Sequence, residues 1–447
     1  MGLTGIQIFK LLPKTNCGEC GVPTCLAFAM NLASGKAELN ACPYVSEEAK
    51  EKLAEASAPP IRQVAIGAGT RALKVGGETV MFRHEKTFFN PTGIAALVKA
   101  GIAPEELDKK LKSWNALQYE RVGLNLRPEL VALQDVNGGA GFAEAARKIA
   151  KESEFNLVLM TENLEAMKAA LNGCAFKKPL LYAATAKNVD QMGGLAKEQG
   201  LPLAVKAESV EKLIPLVDKL TGMGLKDLVL DPGSREPKQL FQDQVVIRRA
   251  PLKAGNRALG FPTIAFPCEM ASNLDAETLL AAMLIAKYAG IVVMSDFKGE
   301  NLFPLLLERL NLFTDPQRPM TVTQGIYEVN GPNENSPVLV TTNFSLTYFI
   351  VSGEIEGSRV PSWLLIMDTE GLSVMTAWAA GKFSGDAVGS FVKKSGIADK
   401  VTHRKIIIPG YAASISGDME EELPGWQVMI GPRDASLIPK FLRESWK

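Results

Sequence analysis

The chain has 447 residues, 47% of them apolar, and its 49 basic side chains equal its 49 acidic ones. That length and apolar content predict two or three domains with large cores and exclude a chain disordered as a whole. With a formal net charge of zero there is no field to gather nucleic-acid phosphates or an anionic membrane surface, so small molecules and proteins are the expected partners.

The first residues, MGLTGIQIFKLLPKTN, contain no long apolar core and no small-residue cleavage site. No stretch reaches about 18 uncharged apolar residues, so a cytoplasmic protein without a membrane span is expected. Four of the six cysteines fall between residues 17 and 42, a pattern that suits local metal ligation better than a disulfide framework.

In NCGECGVPTC, Cys17, Cys20 and Cys25 have the spacing C-x2-C-x4-C, and Cys42-Pro43 supplies a fourth thiolate. Structural zinc sites commonly use two similar C-x2-C pairs, whereas three cysteines on one loop plus a distant Cys-Pro commonly wrap a cubane. A [4Fe-4S] cluster is therefore the favoured reading, with zinc and a redox disulfide pair left open. Gly18 and Gly21 allow the backbone close to the sulfides. Between the third and fourth ligands, LAFAMNLASGKAELNA has helical periodicity, with Gly35 placed to stop the helix.

After SEEAKEKLAEASAPP the composition changes, and Pro59-Pro60 marks a linker near residue 58. Domain boundaries follow at 1–58 for the cluster module, 59–324 for the next domain and 325–447 for the last. Eight short apolar runs are candidate strands of the middle domain: 79–82, 130–134, 157–160, 180–184, 203–206, 228–231, 263–266 and 291–294. With helical stretches between them, they predict a parallel (β/α)8 barrel whose strand C-termini would carry any chemistry, Thr185 and Asp231-Pro232-Gly233 among them. The stretch 84–129 reads as irregular. Asn137-Gly138-Gly139-Ala140-Gly141 lacks a full GxGxxG and reads as a barrel loop rather than a nucleotide site. Cys174 and Cys268 have no companion at ligand spacing and read as ordinary thiols.

Runs at 338–342, 362–368, 405–409 and 426–432 predict four parallel strands in a small Rossmann-like α/β layer. Small hydroxyl and glycine residues follow them: Thr341-Thr342-Asn343, Thr369-Glu370-Gly371-Leu372-Ser373, Pro409-Gly410 and Gly431-Pro432-Arg433. Such a rim suits close approach of a large flat cofactor, and equally suits plain turns and caps. The two histidines, His84 and His403, are flanked by charge and read as surface residues, which disfavours a His-ligated metal or a Ser-His-Asp triad.

Taken with the cysteine loop, the segments ACPYVSEEAK, NENSPVLVTTNFSLTYF, DTEGLSVMTAWAAGKF and IIIPG give a chain that resembles, over its full length, the large subunits of corrinoid iron-sulfur proteins. The resemblance implies an α/β multidomain protein with a small [4Fe-4S] domain, a (β/α)8 barrel and a C-terminal corrinoid (cobalamin)-binding domain that works with a smaller barrel subunit as a heterodimer. It implies a methyl carrier of the reductive acetyl-CoA pathway. Cobalt would take methyl from methyltetrahydrofolate through a methyltransferase and deliver it to acetyl-CoA synthase/CO dehydrogenase, with the cluster reducing Co(II) to Co(I). By motif, the corrin contacts would be Thr342 and Leu346, Gly371, Leu372, Ser373, Val374 and Thr376, and Gly431 and Arg433, with Thr341 and Glu370 on the same rim. No D-x-H-x-x-G loop is present, so a base-off cobalt without a protein His ligand is implied. Two other functions stay open: a methyltransferase whose own barrel binds methylpterin near Asp231, and a ferredoxin-like electron donor.

Overall fold

The computed structural model describes residues 5–33, 37, 39–46, 48–50, 53, 58–121, 124–136, 138–139, 141–315 and 319–446. Gly35, Asn137, Ala140 and most of the polar segment 46–57 lie outside the described residues. Two compact units emerge: one comprises residues 1–81, 88–117 and 128–310, the other 82–87, 118–127 and 311–447. No described helix is long and apolar enough to cross a membrane.

Helices Gly5–Leu11 and Cys25–Ala33 enclose a small core of Ile8, Leu12, Phe28, Ala29, Val45 and Leu53, joined by the thiols of Cys25 and Cys42. Next comes an antiparallel hairpin, Val64–Ile66 with Leu73–Val75. Its Val64, Ile66 and Val75 share a core with the inward residues of an eight-stranded parallel sheet. The strands are β1 Gly93–Lys99, β2 Leu130–Gln134, β3 Asn156–Met160, β4 Leu180–Ala184, β5 Leu203–Lys206, β6 Leu228–Asp231, β7 Ile264–Ala265 and β8 Ile291–Met294. They run in the order β6-β5-β4-β3-β2-β1-β8-β7, and a parallel bridge between Leu230 and Thr263 closes the ring. The hairpin plugs its N-terminal end, where Gly67 N donates to Lys178 O at 3.0 Å and Arg62 N to Gly260 O at 2.9 Å.

The predicted barrel is present, but its first strand is not residues 79–82, which form no strand. β1 lies inside the stretch that read as irregular. In GIAALVK the two alanines and a leucine, all good helix formers, stand between the β-branched Ile94 and Val98, so the run's strand signal is weak. Tertiary pairing decides it: Gly93 stands opposite Ile291 on one side and Ala95 opposite Leu130 on the other, which places β1 between β8 and β2.

The second unit contains the four parallel strands expected, β10 Val338–Thr342, β11 Ser362–Met367, β12 Lys405–Ile408 and β13 Gln427–Ile430, and adds an antiparallel edge strand, β9 Gly325–Val329. The order is β9-β11-β10-β12-β13. β9 is only partly buried along most of its length, so its apolar pattern is too weak to read from sequence. Helix Ser345–Ser358, after β10, covers one face through Ile355, while Val374–Ala379 and Gly385–Ser395, after β11, cover the other through Ala377, Val388 and Val392. Two excursions from the barrel stretch of the sequence, 82–87 and the hairpin Tyr119–Arg121/Leu124–Leu126, belong to this unit. The Arg121 guanidinium stacks 4.0 Å from the Phe349 ring centroid.

One buried ion pair ties the barrel together. Arg248 Nη2 stands 3.1 Å from Glu78 Oε2, also donates to Val80 O at 2.7 Å, and its guanidinium packs on Phe88 and Tyr288. Burial pushes the Glu78 carboxyl above its ordinary range, and Arg248 opposes that rise. Replacing Arg248 by Met leaves the carboxylate buried and unpaired, so Arg248→Met is expected to cost about 3–5 kcal/mol near neutrality. A carboxyl with a raised folded pKa holds a proton that the unfolded chain releases, so stability falls as pH rises through that value. Urea unfolding at pH 5 and pH 8 should therefore show a smaller deficit at pH 5, and equal deficits would exclude a charge origin.

Candidate functional site

The cysteine loop is built by left-handed backbone at Lys14, Asn16, Gly18 and Gly21, the region that glycine and asparagine enter most readily. Asn16 Oδ1 accepts the Cys25 N–H at 2.8 Å, and the Asn16 N–H points at Cys25 Sγ at 3.4 Å. A Cβ at Gly18 or Gly21 would meet nothing within 4 Å, so the loop's outer side is open. Cys42 follows the short turn Leu39–Ala41, and Tyr44 OH donates to Glu19 Oε1 at 2.8 Å, tying the Cys-Pro segment to the loop. All four thiols are free. Cys17 is exposed, Cys20 half-buried, Cys25 and Cys42 buried. Among the described residues, no three His, Cys, Asp or Glu side chains form a group that would hold a metal ion.

In the second unit the chain leaves β10 toward one face and β11 toward the other, so β10 and β12 flank a topological switch point, where open α/β sheets bind ligands. The two strands pair only at Leu339–Ile407. Beyond that pair a groove of about 240 Å³ opens, lined by Thr341, Ile350, Pro409, Tyr411, Arg433 and Ile438 among others. The Oγ1 atoms of Thr341 and Thr342 are buried without a hydrogen-bond partner. Large apolar side chains stand exposed in the segments that follow the strands: Leu346, Ile350, Met375, Trp378 and Tyr411. Arg433 packs over the Tyr411 ring at 5.8 Å.

The other rim residues expected from sequence fall on the turn after β11 and on the loop after β13. Glu370 and Gly371 are left-handed, with φ of 56° and 76°, and Glu370 pairs with Lys382. Leu372, Ser373 and Val374 lead into helix Val374–Ala379, where exposed Thr376 lies with its hydroxyl 3.0 Å from that of Ser373. Gly431 sits against Gly410: a Cβ on Gly410 would fall 2.5 Å from Gly431 O. Sequence reasoning put Asn343 on the rim but gave it no role; its side chain ties β10 to the turn after β11. Its only signal was its place at a strand end beside two threonines.

At the barrel mouth the polar groups are committed to one another. Asp231, fully buried, accepts from Tyr182 OH at 2.6 Å, from Gly233 N at 2.8 Å, and from both terminal nitrogens of Arg235 at 2.9 and 3.1 Å. Arg235 also binds Ser234 O, Tyr182 OH and Glu269, which occupies all its donors. Thr185 is occupied by the Asn188 side chain. Beside this plug lies a cavity of about 520 Å³ edged by Lys187, Lys206, Lys212, Glu162 and Glu208. Burial pushes the thiols of Cys174 and Cys268 up to about 12, which makes both unreactive at neutral pH. His403 accepts from Lys405 N at Nδ1, 3.2 Å, and so donates from Nε2 to Ser336 O, 2.9 Å. His84 stacks on Phe82.

A closed parallel barrel, a Rossmann-like layer with an open switch-point groove and a four-thiol loop define a modular α/β protein whose candidate sites lie in its first and last modules. A family model for the CO dehydrogenase/acetyl-CoA synthase delta subunit matches residues 63–442, and one described as "Putative Fe-S cluster" matches residues 12–44. The corrinoid/iron-sulfur protein large subunit of Moorella thermoacetica is 48% identical over 99% of both chains. The acetyl-CoA decarbonylase/synthase complex subunit gamma of Methanothermobacter thermautotrophicus is 37% identical, again over 99% of both. That of Methanopyrus kandleri is 38% identical over 99% of this chain and 98% of its own. Among solved structures, a truncated 3-deoxy-D-arabino-heptulosonate 7-phosphate synthase from Thermotoga maritima aligns with 56% of this chain and 92% of its own at TM-score 0.40 and 13% identity. The chain belongs to the CO dehydrogenase/acetyl-CoA synthase delta subunit family, among the large subunits of corrinoid/iron-sulfur proteins.

The Gly410–Gly431 contact is testable by contrast. A methyl group on Gly410 would also lie 2.7 Å from Pro432 C and 2.8 Å from Arg433 N, all backbone that must move, so Gly410→Ala should cost about 2 kcal/mol or more. Gly417, in helix Ser416–Glu422 with nothing within 4 Å of an added methyl, should gain up to about 1 kcal/mol as Ala. Thermal denaturation of both variants checks the pair; equal effects would mean that close approach is not what fixes Gly410.

Proposed function

We propose that this chain is the methyl-carrying large subunit of a corrinoid iron-sulfur protein, serving the reductive acetyl-CoA pathway in the cytoplasm. The observation that carries the reading is the switch-point groove between β10 and β12, lined by the buried, unpartnered hydroxyl of Thr341, with exposed apolar side chains on the segments that follow the strands. A corrinoid has an apolar macrocycle and a polar nucleotide tail, and such a rim above such a groove suits both parts. Thr341, Thr342, Leu346, Glu370 to Val374, Thr376, Gly431 and Arg433 would hold it.

When bound, the corrinoid supplies a cobalt that is nucleophilic as Co(I) and accepts a methyl group. A base-off cobalt without a protein imidazole is part of this reading, supported by His403, whose two ring nitrogens are both engaged within the chain. Thr376 offers a small hydroxyl on the exposed face of the rim, leaving room for a methyl donor. Cys17, Cys20, Cys25 and Cys42 would hold a [4Fe-4S] cluster, each thiolate meeting a different corner rather than one shared ion. The separate core of residues 8–53 supports a cluster domain to residue 58, followed by a barrel to 324 and the corrinoid domain from 325. A smaller subunit, a methyltetrahydrofolate methyltransferase and acetyl-CoA synthase/CO dehydrogenase are the proposed partners. A methylpterin at Asp231 is disfavoured by the saturation of that carboxylate and of Arg235.

Iron, sulfide, zinc and cobalt analysis of anaerobically purified protein is the direct test. Cys17→Ala and Cys42→Ala should each lose the cluster and keep cobalt; loss of cobalt in both would break the division between the two modules. Thr376→His should retain corrinoid but lower the Co(II)/Co(I) midpoint potential, because an imidazole stabilises Co(II) over Co(I), whereas Thr376→Ala should change it little. Identical midpoints for wild type and both variants in a spectroelectrochemical titration would place Thr376 away from cobalt.

A further inference from the structure

In the turn after β11, the backbone N–H groups of Thr369 and Gly371 converge on one acceptor, and that of Glu370 between them points to the neighbouring Asp368 carboxylate. Left-handed φ at Glu370 and Gly371 gives the backbone the concave form known as a nest, which ordinarily closes around an anion. Here the nest is filled from within the chain. Asn343 Oδ1 accepts from Thr369 N at 3.0 Å and Gly371 N at 3.0 Å, with Thr369 Oγ1 3.2 Å away. Its Nδ2 donates to Asp368 Oδ1 at 2.8 Å, and that same oxygen accepts Glu370 N at 2.9 Å. The third amide is thus held one step removed.

Asn343 is itself fixed. It is 4% exposed, its N–H donates to Met367 O and its carbonyl accepts from Val322 N, each at 2.9 Å. Segment 319–321 then closes the outer side: a Cβ on Gly371 would lie 2.8 Å from Thr321 Cγ2 and 3.0 Å from Pro319 Cβ. A non-glycine residue in the left-handed region persists only where its surroundings over-determine it. For Glu370 those surroundings are the amide of Asn343, Asp368 and the Lys382 ion pair.

We propose that Asn343 is a positioning residue: by occupying the 369–371 nest it sets the conformation of the turn that presents Leu372, Ser373, Val374 and Thr376. This rests on the reading that those residues face a corrinoid. Asn343 touches no ligand itself. Its effect passes through a turn that, without this acceptor, has inward donors unsatisfied and two left-handed residues unsupported.

The test uses the full chain purified anaerobically with its small subunit, stripped of corrinoid and titrated with hydroxocobalamin. Asn343→Ala should bind about tenfold or more weakly, since loss of a shared acceptor leaves several donors unsatisfied, and its Co(II) electron paramagnetic resonance spectrum should broaden. Iron content should stay at the wild-type level. The exchange Asn343→Asp with Asp368→Asn keeps an acceptor for the Thr369 and Gly371 amides and a donor opposite it, but gives up the oxygen that accepts Glu370 N, and so should recover part of the lost affinity. Amide hydrogen exchange of residues 368–374 without corrinoid supplies an independent reading: faster in Asn343→Ala, and restored at Thr369 and Gly371 in the exchanged pair. Wild-type affinity, spectrum and exchange rates in Asn343→Ala would overturn the proposal, as would an exchanged pair no better than Ala. Failure of the wild type to bind hydroxocobalamin would instead overturn the corrinoid reading. If Asn343→Ala does not fold, the folded exchanged pair still decides: wild-type protection of the Thr369 and Gly371 amides supports the proposal and lost protection of both refutes it.

Discussion

Between β10 and β12 the sheet of the second unit changes the direction in which its connections leave, and only the Leu339–Ile407 pair joins the two strands. Right-handed crossovers force that arrangement: helix Ser345–Ser358 must return to β11 over one face, and the helices after β11 must pass over the other to reach β12. A crevice therefore opens without any cavity being carved from a packed core. Everything of functional interest in this unit, from Thr341 to Arg433, is on segments that this single topological step brings to the same edge.

The two parallel sheets of the protein use their strand ends differently. At the barrel mouth Asp231, Tyr182, Arg235 and Glu269 satisfy one another, and the guanidinium lies on Phe266 at 4.6 Å. A buried charge so completely partnered is expensive to disturb and has little left to offer a ligand. At the switch point the balance is reversed: Thr341 lines the groove with its buried hydroxyl unpartnered, and Leu346, Met375, Trp378 and Tyr411 leave apolar surface in water. Unsatisfied polar atoms and exposed apolar groups cost stability, and both are relieved by a ligand with an apolar body and a polar tail.

Much of this is legible in the sequence because it is local. The cysteine spacing is read along the chain, and seven of the barrel strands show their apolar runs directly. β1 does not, since Ala95 and Ala96 carry no strand signal and only pairing with β2 and β8 makes them one. β9 is hidden by its partial burial at an edge. That residues 82–87 and 118–127 pack with the C-terminal unit follows from long-range contacts such as Arg121 on Phe349, which no periodicity encodes. Asn343 illustrates the same limit at the site. A threonine-threonine-asparagine run after a strand looks like an ordinary turn, and the asparagine's role emerges only when the chain returns 25 residues later to place Asp368 beside it.

The N-terminal module joins folding to metal binding in the same physical terms. Its core is small, and two of its members are the thiols of Cys25 and Cys42. Thiolates are strongly disfavoured in apolar surroundings unless a metal neutralises them, so a cluster would convert buried thiols from weakly packing groups into the fixed centre of the fold. Cys17 and Cys20 lie on the glycine-bearing loop, Cys17 exposed and Cys20 half-buried against the same core. One pair of ligands would thus anchor a cluster to the core while the other closes over it from solvent, an arrangement that leaves an edge of the cluster near the surface. Short-range electron exchange with a second centre needs such an edge. With a cluster bound, the buried pair would secure stability and the more exposed pair access, which would account for the unequal division of the four cysteines between core and surface.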